Sequence, residues 1–162
     1  IPIPAALFPL ANVTSALVRH IAALAILAAI LLGSGINTGV YWAGVLMILP
    51  IVLLLTAGSA IVFACLTALH RDVAPTVGAA MLPLFFTTPV IYPPHIVPEA
   101  LRVVMDLNPL TPVVSAYRDL LVTGQLPMAG GLLWSTAVGV IVLGIGVVLV
   151  RRVGPELAER LG

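Results

Sequence analysis

No Asp, Glu, Lys or Arg interrupts the chain between Arg19 and Arg71. One helical crossing of a bilayer takes roughly 20 apolar residues, so this run predicts two spans, at about 17–32 and 41–69. The turn sequence Gly33-Ser34-Gly35-Ile36-Asn37-Thr38-Gly39 parts them. Arg19 and His20 then stand near the cytoplasmic start of the first span, and Pro50 offers a kink in the second. Tyr41 and Trp42 lie where an interfacial aromatic belt would put them. Two more apolar runs predict spans at about 75–92, bent by Pro83 and Pro89, and at about 129–150, ended by Arg151-Arg152. Small residues recur every four positions at Thr56, Ala60, Ala64 and Ala68, and at Gly131, Ser135 and Gly139. That spacing lets helices approach closely in lipid, within one subunit or between two.

The pattern breaks between the last two spans. Residues 88–118 hold six of the fourteen prolines and four of the charged side chains. Residues 98–107 read as a short amphipathic helix with Pro98 in its first turn. Glu99, Arg102 and Asp106 fall on one face, able to pair, with Leu101, Val104 and Met105 opposite. Asn108-Pro109 ends that helix, since the residue before proline is pushed out of the α region. A second helix at about 113–123 carries Tyr117, Arg118 and Asp119 and stops at Gly124. The fold class is therefore all-α integral membrane, four transmembrane helices with a re-entrant or amphipathic helical hairpin between the last two. The whole is one transmembrane domain, with an insert at 93–127 and a tail at 151–162. Irregular backbone at membrane depth is tolerated only against protein or a water-filled cavity, so the insert is either a lid over an exit path or a cap that shields the bundle.

Composition agrees with lipid as the solvent. The chain is 61 % hydrophobic and 8 % charged, against about 25 % charged in ordinary soluble domains. All seven basic residues are Arg. With a cytoplasmic N-terminus, Arg19, Arg71, Arg151, Arg152 and Arg160 lie inside and only Arg102 and Arg118 outside, which satisfies the positive-inside rule. Both termini are then cytoplasmic and the insert external. No basic run exists to neutralise phosphates, so nucleic acid is not an expected partner. The first residue is Ile, which predicts a piece of a longer chain.

Candidate chemistry is sparse. His70-Arg71-Asp72 shares letters with a kinase catalytic loop but lacks its glycine-rich and metal-binding partners. As a membrane loop, Arg71 anchors topology, Asp72 caps the following helix, and the pair offers a contact for a cytoplasmic partner. Asn108-Pro109-Leu110 occurs once, whereas water channels use two such tips. His20, His70 and His95 are scattered, so no metal site or catalytic residue is expected. Ser59, in a predicted membrane helix, has no paired His in the spans, and one cysteine, Cys65, cannot form an internal disulfide. No phosphate-cradling glycine loop is present, so no cofactor is expected. Apart from Asp72, no acidic residue lies near a predicted span, which argues against an ion-coupled carrier.

One set of residues resembles a known family. Arg71-Asp72, then Thr88-Pro89-Val90-Ile91-Tyr92-Pro93, Val97-Pro98-Glu99, Arg102, Leu107-Asn108-Pro109-Leu110-Thr111-Pro112 and Tyr117-Arg118 resemble the permease subunit of ABC-2 type transporters. The pattern most resembles the branch that exports lipid-linked polysaccharides such as O-antigen, capsule or teichoic acid, with Thr88 in place of the usual Ser. The resemblance implies a six-span permease of the bacterial cytoplasmic membrane, working as a homodimer with a separate ABC ATPase subunit. It implies that the four spans here are the family's third to sixth, that 1–13 leads into the third, and that the first two spans precede this chain. The stretch at 93–123 would form two external gate helices. The permease would not itself be an enzyme; the ATPase chain would hydrolyse ATP.

The expected gate and pathway residues are Tyr92, Glu99, Arg102, Asp106, Asn108, Pro109, Tyr117 and Arg118. Tyr92 and Tyr117 would stack on sugar rings or serve as ordinary interface aromatics, with Trp134 a further candidate. Arg71 and Asp72 would meet the cytoplasmic partner. The expected partners are the ATPase, a second permease copy, the lipid-linked glycan and membrane lipid. A drug or small-molecule exporter of the same fold, and a membrane scaffold without transport, stand as alternatives.

Overall fold

The computed structural model describes the backbone of residues 7–90, 92 and 97–161, and the side chains of 11–90, 92, 97–99 and 102–152. All regular structure among them is helical: α1 (Leu7–Gly33), a 3-10 helix (Gly39–Gly44), α2 (Val45–Leu69), α3 (Val73–Thr87), α4 (Glu99–Leu107), α5 (Leu110–Arg118) continuing into a π turn (Asp119–Thr123), and α6 (Ala129–Leu161). Many large apolar side chains on α1, α2, α3 and α6 are exposed, among them Ile26, Met47, Leu82 and Ile141. That is the surface a lipid solvent requires.

α1 starts ten residues before the predicted boundary. Proline near the start of a helix costs it no hydrogen bond, so Pro9 does not delay it. Arg19 and His20 consequently sit at the middle of α1, not near its start. The helix stops where Gly35, with φ +78°, permits a Schellman turn. There Ile36 N–H donates to Leu31 C=O at 2.9 Å and Gly35 N–H to Leu32 C=O at 3.0 Å.

α2 and α6 form the main seam, and they run parallel. The register is read from three glycines: Gly139 faces Leu54, Gly58 faces Leu143 and Gly146 faces Ile61. A Cβ on Gly58 would lie 2.8 Å from the Leu143 backbone nitrogen, so the two helices touch backbone to backbone. The small stripe expected on α2 does not make this seam: Gly58 is buried, while Ala64 and Ala68 are exposed. Helix rotation about the seam selects the contact face, and periodicity alone does not fix that rotation. On α6 the expected stripe does pack within the chain, Gly131 on Pro112 and Gly139 on Leu54.

Among the described residues, three helical stretches are long and apolar enough to cross a bilayer: Ala11–Gly33, Gly39–Leu69 and Ala129–Arg152. The remaining predicted span is shorter than expected. α3 has 15 residues, about 22 Å at 1.5 Å per residue, against a hydrocarbon core of about 30 Å. It ends because Thr88 precedes Pro89 and adopts extended backbone, φ −97° and ψ 127°.

At its other end, Asp72 occupies the cap position of α3 without a side-chain cap bond. The expected cap fails because Asp72 has helical backbone, φ −77° and ψ −9°, whereas a capping residue takes extended angles. The Thr76 hydroxyl instead donates to the Asp72 carbonyl at 2.7 Å.

The hairpin α4–α5 enters the bundle beside this broken end. α5 runs antiparallel to α2 and α6, because Pro109 meets Ser135, Pro112 meets Gly131 and Leu120 meets Gly44. Ser135 lies six residues into α6, about 9 Å along its axis. The tip therefore reaches that far past the start of α6, which makes the hairpin re-entrant in form. Val113, Ala116 and Leu120 of this segment join Ile48 and Leu55 of α2 in the core cluster.

Candidate functional site

Among the described residues the buried polar side chains are Thr88, Asn108 and Ser135, and all three meet at the hairpin tip. A tip buried among apolar helices must satisfy its own backbone, and these side chains do so. The Asn108 amide nitrogen donates to the Thr88 hydroxyl at 2.9 Å and reaches Thr87 Oγ1 at 3.5 Å. Its Oδ1 accepts from the Leu110 N–H at 2.9 Å. Thr88 Oγ1 donates in turn to the Leu84 carbonyl at 2.8 Å, capping α3. The Ser135 hydroxyl donates to the Pro109 carbonyl at 2.7 Å. Asn108 thus joins the end of α3 to the start of α5, and the neighbouring Pro109 carbonyl ties the tip to α6.

The bond to Leu110 N–H also explains a boundary. The second hairpin helix was expected from about residue 113, but it begins at Leu110. Asn108 acts as a cap and Pro109 occupies the first turn, both favourable choices there.

Higher on α5, Arg118 Nη2 donates to the carbonyls of Pro89 at 2.9 Å and Val90 at 3.4 Å. These are backbone groups freed by the break after α3, and a charged donor makes the stronger kind of hydrogen bond. Tyr117 shares a 2.8 Å hydrogen bond with His20 Nε2, the rings tilted with centroids 5.7 Å apart. His20 is therefore a partner of the hairpin from mid-α1. Tyr117 is half-buried with its hydroxyl engaged. At the top, Thr38 Oγ1 donates to the Leu120 carbonyl at 2.6 Å. Gly124, with φ +64°, closes the segment against Thr38 and Tyr41. The hairpin is thereby bonded to α1, to the turn after α1, to the end of α3 and to α6.

The other expected residues spread along the outer part. Tyr92 donates its hydroxyl to the Phe86 carbonyl, folding the post-α3 segment back on its helix. Glu99, Arg102 and Asp106 are exposed on α4, and Arg102 Nε donates to the Val97 carbonyl at 3.1 Å. The opposite face is less apolar in its burial than predicted: Met105 is buried, but Val104 is exposed because α4 packs by a narrow stripe. The Leu101 side chain and His95 lie outside the described residues. Trp134 is partly exposed on α6. Arg71 and Asp72 are exposed in the turn between α2 and α3, remote from the tip.

Thr88, Ser135 and His20 do more at this site than the sequence reading assigned them. The available signal was polarity within apolar runs, since a polar side chain at membrane depth needs a partner. What the signal lacks is the partner's identity.

Comparison with known proteins places this geometry in a family. Residues 1–122 match the ABC-2 type transporter family, a stretch that includes α1 to α5. Two curated proteins of Klebsiella pneumoniae, each described as O-antigen export system permease protein RfbA, are 26 % identical over 124 residues. The alignment takes in 76 % of this chain and 48 % of each relative, so the chain spans about half the length of the curated relatives it matches. The motif order along the chain, the helical bundle and the family match agree: this chain belongs to the ABC-2 type transporter family.

Proposed function

We propose that the chain forms part of a membrane-spanning permease that exports lipid-linked polysaccharide across the bacterial inner membrane, driven by a separate ABC ATPase. The observation that carries this reading is the hairpin tip. A re-entrant pair of helices, tied by Asn108 to the end of α3, by the Pro109 carbonyl to Ser135 of α6 and by Tyr117 to His20 of α1, has the form of a hinged plug at the outer end of a pathway. The family membership supports transport. The printed function of the two relatives, O-antigen export, supports the substrate class.

In this reading α3 and the hairpin share one crossing. α3 rises about 22 Å and the tip descends about 9 Å to meet it, near the 30 Å of a bilayer core. The hairpin then faces outward and both chain ends face the cytoplasm. Arg71, Arg151 and Arg152 on the inner side support that orientation. The exposed Arg71-Asp72 turn is available to the ATPase. A second permease copy completes the pathway wall. Asn108, Pro109, Tyr117 and Arg118 set the resting position of the gate, with Tyr92, Glu99, Arg102 and Asp106 on its outer part.

The test is export by full-length protein with its ATPase. Asn108→Ala and Pro109→Ala are expected to alter surface polysaccharide while membrane insertion and ATPase recruitment persist. Export at the unsubstituted level in both variants would overturn the gate assignment.

A further inference from the structure

The hairpin is fastened unequally to its neighbours. Val113, Ala116 and Leu120 join Ile48 and Leu55 of α2 in the core cluster. Asn108 and Arg118 bond the end of α3, at the Thr88 hydroxyl and the Pro89 carbonyl. Ser135 of α6 bonds the Pro109 carbonyl, and a Cβ on Gly131 would lie 2.9 Å from Pro112. Toward α1 the ties are polar: His20 shares a bond with Tyr117, and Thr38 donates to the Leu120 carbonyl. α1 itself is lightly embedded, for between Ala11 and Gly33 the buried side chains are Val13 and Leu31.

The Thr38 bond has a specific cause. The last carbonyls of a helix lack donors of their own helix. At the end of the π turn, the Gly124 and Gln125 N–H groups both go to the Asp119 carbonyl. The Leu120 carbonyl takes its donor from Thr38 instead, at 2.6 Å. Gly35 at φ +78° and Gly39 at φ +62° bracket Thr38, with open space where each would carry a Cβ. Loop positions of this kind absorb the φ and ψ changes of a hinge.

We propose that the gate opens along the line between α1 and the hairpin, with Thr38 the positioning residue that latches it. The hairpin stays with α2, α6 and the end of α3, while α1 and its turn part from it. Hydrogen bonds opened there are largely replaced by bonds to water. Parting from α2 would instead expose the apolar cluster, whose burial is the dominant favourable term in folding. The inference rests on the reading of the hairpin as a gate.

A reversible disulfide tests it in full-length protein with its ATPase, in a cysteine-free background. A Cβ on Gly124 would lie 3.5 Å from Thr38 Cβ, at the edge of the roughly 3.5–4.5 Å that disulfides span. Thr38→Cys with Gly124→Cys therefore pins the latch, and Pro112→Cys with Gly131→Cys pins the hairpin to α6. Polysaccharide export by each pair is compared before oxidation, after it and after dithiothreitol, with the bridged fraction read by mass spectrometry. Bridging 38 to 124 is expected to stop export until reduced, and bridging 112 to 131 to leave it unchanged. Loss only on bridging 112 to 131 keeps a moving hairpin but overturns the latch at Thr38. Loss on both bridges also overturns it, because the hairpin would then part from α6. Full export with both bridges overturns the latch and the gate reading together. Thr38→Val removes the hydroxyl at constant shape and needs no change at Gly124, where a side chain is strained. It should raise the leak of a small fluorescent solute from liposomes above that of Thr38→Ser, and equal leak in the two overturns the latch.

Discussion

The Asn108 side-chain amide donates to the Thr88 hydroxyl at 2.9 Å, across twenty residues of sequence and at the meeting point of α3 and α5. Both side chains are buried; removing Asn108 leaves the Leu110 N–H without its acceptor, and removing Thr88 leaves the Asn108 amide nitrogen only the 3.5 Å contact to Thr87. Asn108→Ala should therefore destabilise the folded protein by about 1–3 kcal/mol. Asn108→Asp keeps the Oδ1 acceptor for Leu110 N–H but loses the donor. A double-mutant cycle with Thr88→Val, read by thermal unfolding in detergent, should give a coupling energy above about 0.5 kcal/mol. Additive single effects would remove the bond from the account of the tip.

The parallel seam between α2 and α6 ranks its glycines. An added methyl at Gly58 meets the Leu143 backbone, which cannot turn aside, whereas at Gly139 it meets the Leu54 side chain at 2.9 Å. Gly58→Ala should cost more than Gly139→Ala, the former in the range of about 1–3 kcal/mol expected for overpacking. Thermal shift measurements on the two variants check the order. Equal losses would mean the seam relaxes by rigid separation of the helices.

His20 and Tyr117 tie α1 to the hairpin. Bonds between helices in membrane proteins average about 0.6 kcal/mol in double-mutant cycles, with a maximum of about 1.7 kcal/mol. A coupling energy within that range is expected for His20→Leu with Tyr117→Phe. If the tie holds the gate shut, Tyr117→Phe should also raise basal leak of a small fluorescent solute from liposomes. Unchanged stability in both single variants would break the tie.

Depth and orientation yield to cysteine labelling in a Cys65→Ala background. A membrane-impermeant maleimide added to intact cells should label Leu126→Cys, which is 80 % exposed after the hairpin. It should leave Val113→Cys unreacted, since that position is 5 % exposed in the core. Arg71→Cys should react only after permeabilisation. Labelling of Arg71→Cys in intact cells would invert the proposed topology.

Legibility in the sequence followed the range of each interaction. Apolar run lengths, the Gly33-to-Gly39 turn, the Asn108-Pro109 break and the stop at Gly124 are local signals, and each marks a real boundary within a few residues. The start of α1 lies ten residues before the predicted one because a helix can run on beyond the apolar stretch that spans a bilayer. Of the two contacts open to the α2 stripe, the one within the chain is made instead by Gly58, since helix rotation and not spacing selects the face that meets α6.

The sequence by itself determined the lipid solvent, the helical class, the hairpin between the last two apolar runs and the family pattern, since all of these depend on composition or near neighbours. Only the tertiary structure decided how deep the hairpin sits and what holds it. Asn108 meets Thr88, Ser135 meets the Pro109 carbonyl and His20 meets Tyr117 because the helices dock at particular rotations and depths. Those rotations come from backbone contact at Gly58 and from the shortness of α3, properties of packing between distant segments that no local pattern encodes.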